Sequence, residues 1–182
     1  PEELPWRGSA NDRRGFARHL TNVALENGKS FALVLETHPE WKNGGYISGT
    51  YLNVTVPAGA KFSALVGFLK DATATDGAIF GVSIIDQTGA RHNVVGKIAR
   101  ADGVLDELTA DLGPYAGQIV TFRLQVQAGS TATQDWAVWA SAAITQDAAL
   151  VLQRAPVDAK TVAAAKLPAQ QPNLAGVRKF EP

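Results

Sequence analysis

Ile119-Val120-Thr121-Phe122-Arg123-Leu124-Gln125-Val126-Gln127 alternates without a break, with Val120, Phe122, Leu124 and Val126 on one side. Period-two alternation of β-branched and aromatic residues is the pattern of a strand with one buried face. The turn-rich Ala128-Gly129-Ser130-Thr131-Ala132-Thr133 follows. Then comes Gln134-Asp135-Trp136-Ala137-Val138-Trp139-Ala140-Ser141-Ala142-Ala143-Ile144, which holds two of the four tryptophans. This second run reads as the closing strand of a β-sandwich. Asp135 is its one carboxylate, beside a large aromatic. Trp136 and Trp139 are three apart, so a regular strand sends one into the core and the other out; a bulge would change this.

The pattern repeats toward the N-terminus. Ala78 to Ile85 places Phe80, Val82 and Ile84 on one face, and Lys61 to Leu69 is another strand. Tyr46 to Val56 is β-rich, with Leu52, Val54 and Val56 expected to share a face. Asn27-Gly28 is a hairpin signal between Phe16–Leu25 and Ser30–Glu36. Gln87-Thr88-Gly89-Ala90 turns into a strand ending near Ile98. Asp102 to Asp111 is more polar and reads as a loop with a short extended segment or one helical turn. The expected fold is all-β, an antiparallel β-sandwich of jelly-roll type, from about nine strands spaced ~10 residues apart. Its bounds are residues 14–154, with an irregular N-terminal arm over 1–13 and an extended C-terminal segment over 155–182. Asp147 to Gln153 is a further strand candidate. Val157 to Leu167 is alanine-rich and suits a short helix, which Pro168 and Pro172 cannot continue.

Seventeen basic and seventeen acidic residues cancel. A nucleic-acid surface or an anionic membrane as main partner needs a basic excess that this chain lacks. Arg7, Arg13, Arg14, Arg18 and His19 form a local cluster, which reads as solvated or ion-paired. With no cysteine there is no disulfide, thiolate nucleophile or cysteine metal site. No apolar run reaches the ~20 residues that span a bilayer.

His19, His38 and His92 have no metal-ligand spacing, and no nucleophile elbow or phosphate-binding loop is present. An enzyme is not expected. A sugar site needs an aromatic face for the pyranose C–H groups and polar side chains for the hydroxyls. The candidates are Trp41 and Tyr46 around Gly44-Gly45, Tyr115 on its own turn, and Asp135 with Trp136. For each, packing against the sandwich is the competing assignment. Asp76, Asp135 and neighbouring carbonyls are hard oxygen donors of the kind calcium takes. No DxDxDG run accompanies them, and turn-capping is the alternative.

From Lys61 to Ile144 the chain resembles the NPCBM family, a jelly-roll module found beside glycoside hydrolases and taken to bind carbohydrate. The resemblance is carried by Phe62-Ser63-Ala64-Leu65-Val66-Gly67-Phe68 and Asp76-Gly77-Ala78-Ile79-Phe80-Gly81-Val82. It continues in Asp111-Leu112 with Tyr115-Ala116-Gly117-Gln118, and in Asp135-Trp136-Ala137-Val138-Trp139-Ala140-Ser141-Ala142. It covers about half of the chain. It implies that Asp135 and Trp139 shape the closing strand.

Two functions are therefore expected. The first is a non-catalytic carbohydrate-binding or adhesion module, extracellular, at the cell surface or periplasmic. The second is a structural subunit of a filament, surface layer or larger complex, whose partners are copies of itself. In that case Trp6, Leu174, Val177 and Phe180 make the assembly contacts, since an arm can add a strand to a neighbour's sheet.

Overall fold

The computed structural model describes residues 3–146 and the backbone of residues 179–181. Ten strands are formed: β1 (Phe16–Ala24), β2 (Ser30–His38), β3 (Tyr46–Thr55), β4 (Ala60–Phe68), β5 (Ala78–Ile85), β6 (Arg91–Ala99), β7 (Asp106–Asp111), β8 (Ile119–Ala128), β9 (Ala137–Gln146) and β10 (Lys179–Glu181). They make two five-stranded antiparallel sheets, ordered β1-β2-β9-β4-β7 and β10-β3-β8-β5-β6. The pairs β5·β6, β4·β7, β3·β8 and β2·β9 are nested. The chain is thus a long ribbon, with its tip at the Asp86–Ala90 turn, rolled into two layers. That is the jelly-roll wrap. Among the described residues no helix is long and apolar enough to cross a membrane.

The alternation that announces β8 is obeyed: Val120, Phe122, Leu124 and Val126 are buried. Phe80, Val82 and Ile84 of β5 meet them from the next strand. Trp139 of β9 is 2% exposed and packs edge-on against Phe80, with ring centroids 5.1 Å apart. Phe62 and Phe122 make a second cross-sheet pair at 5.3 Å. Each such buried aromatic contributes roughly 2–3 kcal/mol of apolar burial.

One expectation is corrected. Leu52 does not share a face with Val54 and Val56; it is 43% exposed. Asn53 takes a left-handed conformation (φ 58°) and a bulge inserts one residue between Tyr51 and Val54. The inward side therefore passes from Ile47 and Tyr51 to Val54 and Val56. Ser141 (φ 53°) does the same in β9, so Ala142 and Ile144 rejoin Trp139 on the core side. Of the two readings of Asp102 to Asp111, the loop with a short extended segment is the one formed: Asp106–Asp111 is an edge strand paired to β4, and there is no helical turn in it. It was obscured because only Leu108 of it is buried.

The β1–β2 hairpin is longer than the sheet needs, and its distal half covers the outer side of the first sheet. Asn22 (φ 51°) interrupts β1. Beyond it, Leu25 bridges to Leu69, and the Glu26 N–H donates to the Phe68 carbonyl (3.0 Å). Leu25 and Val34 then form a second small core with Val138 and Ala140, joined by Leu20, Val23, Phe31 and Leu65. The Glu26 carboxylate accepts the Phe68 and Gly103 N–H groups at 2.9 and 3.1 Å.

At the N-terminus, Leu4 is buried and Trp6 packs on the main core, its ring edge-on to His19 at 4.8 Å. Trp6 is therefore used within its own domain. Arg14 pairs with Asp12 and Arg18 with Glu36, so part of the basic cluster is ion-paired. At the C-terminus, β10 pairs with β3 of the same chain, with Phe180 opposite Gly49. The strand expected over 147–153, the helix over 157–167, Leu174 and Val177 lie outside the described residues.

The Glu26 lock has no room for a side chain beneath it. A Cβ on Gly67 would lie 2.4 Å from Glu26 Oε1 and 2.6 Å from Leu105 Cδ2. Gly67→Ala is expected to lower stability by about 1–3 kcal/mol in urea unfolding. An unchanged midpoint would show that the hairpin tip does not bear on the sheet.

Candidate functional site

The loops at one end of the sandwich carry the candidate site. Residues 39–45 join β2 to β3, residues 69–77 join β4 to β5, and residues 129–136 join β8 to β9. Proline and the double glycine keep 39–45 out of regular structure. The Trp41 N–H donates to the Arg13 carbonyl (3.0 Å), which fixes the loop against the N-terminal arm.

Trp41 is 45% exposed, but its ring is not free to turn. One face lies on the His38 imidazole, with centroids 4.4 Å apart and planes 16° from parallel. His38 in turn stacks on Phe16 at 5.4 Å and 22°. The register of β1 with β2 creates this pile, because it sets Phe16 directly opposite His38. His38 is buried, and its Nδ1–H donates to the Pro39 carbonyl (2.7 Å). Burial pushes its pKa down, against the smaller opposing pull of the Pro39 and Ala132 carbonyls.

A groove of about 280 Å³ opens beside Trp41. Trp41 to Asn43 form one side and Ser130 to Thr133 the other. The lining thus brings an indole together with hydroxyl-bearing residues, an amide side chain and a lysine. Lys42 is paired with Glu40 at 2.6 Å.

The other residues picked out by sequence are placed as follows. Tyr46 opens β3 at the same end; it is half-buried and does not line the groove. Tyr115 sits on a 3₁₀ turn (Gly113–Tyr115) at the opposite end, 5.7 Å from the His92 ring. Trp136 lies just before β9, where Gln134 takes φ 54°, and it packs half-buried against the main core. Strand alternation therefore does not divide the two tryptophans: Trp139 is buried, and Trp136 packs on the same core while half-buried. Asp135 is fully buried. It accepts the Thr75 hydroxyl at 2.5 Å through Oδ1, and Oδ2 has no hydrogen-bond partner among the described residues. Asp76 Oδ2 accepts the Ser130 and Thr131 N–H groups. Among the described residues no three His, Asp or Glu side chains converge on a point that could hold a metal. His38 and the Ser130–Thr133 wall were missed by sequence reasoning. The one signal was the spacing His38-Pro39-Glu40-Trp41, which brings an imidazole within reach of an indole across a proline turn.

No family model matches the chain, and no curated protein matches it. Some solved structures are similar to it. The structure of TmCBM61 in complex with β-1,4-galactotriose is 13% identical, with a TM-score of 0.48 over 79% of this chain and 89% of that one. The CBM51-2 and INT domains of Clostridium perfringens ZmpB are 18% identical, with a TM-score of 0.46 over 68% of this chain and 27% of that one. The C-terminal CBM6 of LamC from Zobellia galactanivorans is 15% identical, with a TM-score of 0.36 over 65% of this chain and 86% of that one. The chemistry of the site rests on its own geometry.

Burial holds the Asp135 pKa up at about 6, from an ordinary 3.8; the Thr75 hydroxyl opposes the shift and the Asp76 charge adds to it. The folded chain therefore keeps this proton to higher pH than the unfolded chain. Between the two values it binds more protons, so stability falls as pH rises through that window. Two pH units correspond to roughly 2–3 kcal/mol. Burial also raises the Glu26 and Glu36 pKa values, so the comparison must be with Asp135→Asn. The difference in unfolding free energy between wild type and D135N is expected to shift by about 2 kcal/mol between pH 4 and 7. A difference that stays constant with pH would show that Asp135 does not hold this proton.

Proposed function

We propose that this chain is a non-catalytic carbohydrate-binding module whose ligand rests on Trp41. The observation behind this is the Phe16–His38–Trp41 pile. It stacks a half-exposed indole on a buried ring, at the side of a groove that the indole lines. A large apolar face in water normally folds back onto the protein; holding it out in a fixed orientation is useful to a ligand with a flat apolar face. Pyranose rings have such a face, and their hydroxyl rims would meet Ser130, Thr131, Thr133 and Asn43. The groove is at the small end of ligand pockets, which run from about 300 Å³ upward. It suits a short glycan or a chain end.

The motifs shared with the NPCBM family support the same reading. They lie on β4, β5 and β9, on the turns at Asp76-Gly77 and Asp135-Trp136, and, at the opposite end, on the turn around Tyr115. An extracellular or cell-surface setting, where glycans are displayed, goes with it. The reading as an assembly subunit has less behind it. Trp6 packs on its own core, and β10 pairs with β3 of the same chain.

The test is binding of the whole chain to a printed array of mono- and oligosaccharides, followed by titration of the strongest glycan. Trp41→Ala is expected to cost about 2 kcal/mol or more, roughly thirtyfold in affinity. Its thermal melt should stay close to that of wild type, because the ring is half exposed. Absence of any wild-type signal, or equal binding by W41A, would overturn the proposal.

A further inference from the structure

The Ser130–Thr133 wall belongs to no strand, and it is held from behind by the loop over residues 69–77. Asp76 Oδ2 accepts the N–H groups of Ser130 (2.8 Å) and Thr131 (3.2 Å). Gln134 Oε1 accepts the Ala74 N–H (2.8 Å), and Asp135 takes the Thr75 hydroxyl. The root of the wall is Gly129. A Cβ there would lie 3.0 Å from Asp76 Oδ1 and 3.1 Å from Oδ2, so the carboxylate docks where a side chain would otherwise stand. The Gly129 carbonyl accepts the Gly44 N–H (3.2 Å) from the Trp41 loop. Gly129 is thus the vertex of the groove: one side is tied to Gly44, and the other to Asp76.

We infer that Asp76 is the positioning residue of the Trp41 groove: it does not line the groove, yet it sets the spacing between the Ser130–Thr133 wall and the indole. The consequence for affinity rests on the carbohydrate reading; the hold on the wall does not. Asp76 is suited to the task. A carboxylate oxygen that takes two backbone N–H groups makes charge-assisted bonds, stronger and shorter than neutral ones. These bonds link loops far apart in sequence, so they fix a tertiary spacing and not a local turn. With alanine at 76, both amides turn to water and the wall keeps its tie to Gly44, the buried Ala132 beside His38 and the links at Gln134 and Asp135. With asparagine, an acceptor remains in place.

Two measurements on the full chain separate the halves of this inference. The first is amide hydrogen exchange at Ser130 and Thr131, which needs no ligand. In Asp76→Ala it is expected to quicken about tenfold or more, with the β8 amides unchanged. The second is binding to the printed glycan array, read far below each variant's melting temperature. D76A is expected to lose about tenfold or more, since a shift of about 1 Å in a site is costly. Asp76→Asn is expected to stay within about threefold of wild type, because asparagine serves nearly as well as an acceptor for backbone amides. Gly129→Ala, which crowds the carboxylate without removing it, should fall between the two. Unchanged exchange at Ser130 and Thr131 in D76A would overturn the inference. So would quickened exchange with wild-type glycan binding, or a loss of binding in D76N as large as in D76A. If wild type itself bound no printed glycan, the carbohydrate reading would fail, and exchange in D76A would still decide whether Asp76 holds the wall.

Discussion

The edge-on contact between Trp139 and Phe80 joins the two sheets, and much else depends on it. Trp139 lies on β9, between β2 and β4 in the first sheet; Phe80 lies on β5 in the second. Packed sheets stand about 10 Å apart, a gap that an indole and a phenyl ring fill together. Phe68 of β4 completes the group, 6.2 Å from Phe80. Once Trp139 points inward, the parity of β9 follows. Ala137 is also inward, and Val138 faces out beneath the β1–β2 hairpin. The chain must then leave the sheet before residue 137. It does so at Gln134, in a left-handed conformation, with Trp136 folded onto the core. The groove wall, residues 130–133, ends where that turn begins, so its place is inherited from the packing of one tryptophan.

Much of this was readable from the chain itself. β8 and β5 alternate with large residues on one side only, and Asn27-Gly28 marks a hairpin whose strands pair as expected. What could not be read has a common cause. Bulges at Asn53 and Ser141 shift the alternation by one residue, and nothing local distinguishes these residues from other polar positions in a strand. Leu52 was placed with Val54 and Val56 for that reason. β7 offers a single buried leucine, too little for a period to register. The reversal of the β1–β2 hairpin over the outer side of the first sheet depends on where Glu26 finds its amide partners, more than forty residues away. Trp41 was legible as an exposed aromatic on a proline–glycine loop. Its backing was not, because His38 meets Phe16 through strand register and not through sequence proximity.

The buried polar groups divide by how they are satisfied. Glu36 is buried on β2 with the Arg18 guanidinium at 2.5 Å; burial raises its pKa and the arginine opposes this. A buried charge with a bonded counter-charge is tolerated, though breaking such a pair is costly. Asp135 has no cation. It has a hydroxyl on one oxygen, a second carboxylate nearby, and no partner for the other oxygen among the described residues. The neutral carboxyl is the state that burial favours there.

The Asp86 turn and the loops around Trp41 differ in the same respect. At the Tyr115 end, Asp86 accepts the Thr88 and Ala90 N–H groups, the Thr88 hydroxyl and the His92 Nε2–H. These bonds, the Thr88 hydroxyl first, lower its pKa, and the turn is locally complete. At the Trp41 end, the loops are tied to one another by long-range bonds, burial raises the pKa of the Asp135 carboxyl to about 6, and an indole is stacked on the His38 ring. A turn that satisfies itself needs no neighbour to hold its shape. Loops that depend on one another must all be in place before the groove exists, and local sequence rules are most often broken where a chain maintains such a site. The loops at the other end also bond to one another, the Gly117 N–H to the Val56 carbonyl (2.8 Å) and the Leu112 N–H to the Ala60 carbonyl (2.9 Å); what sets the Trp41 end apart is the half-exposed indole stacked on a buried imidazole.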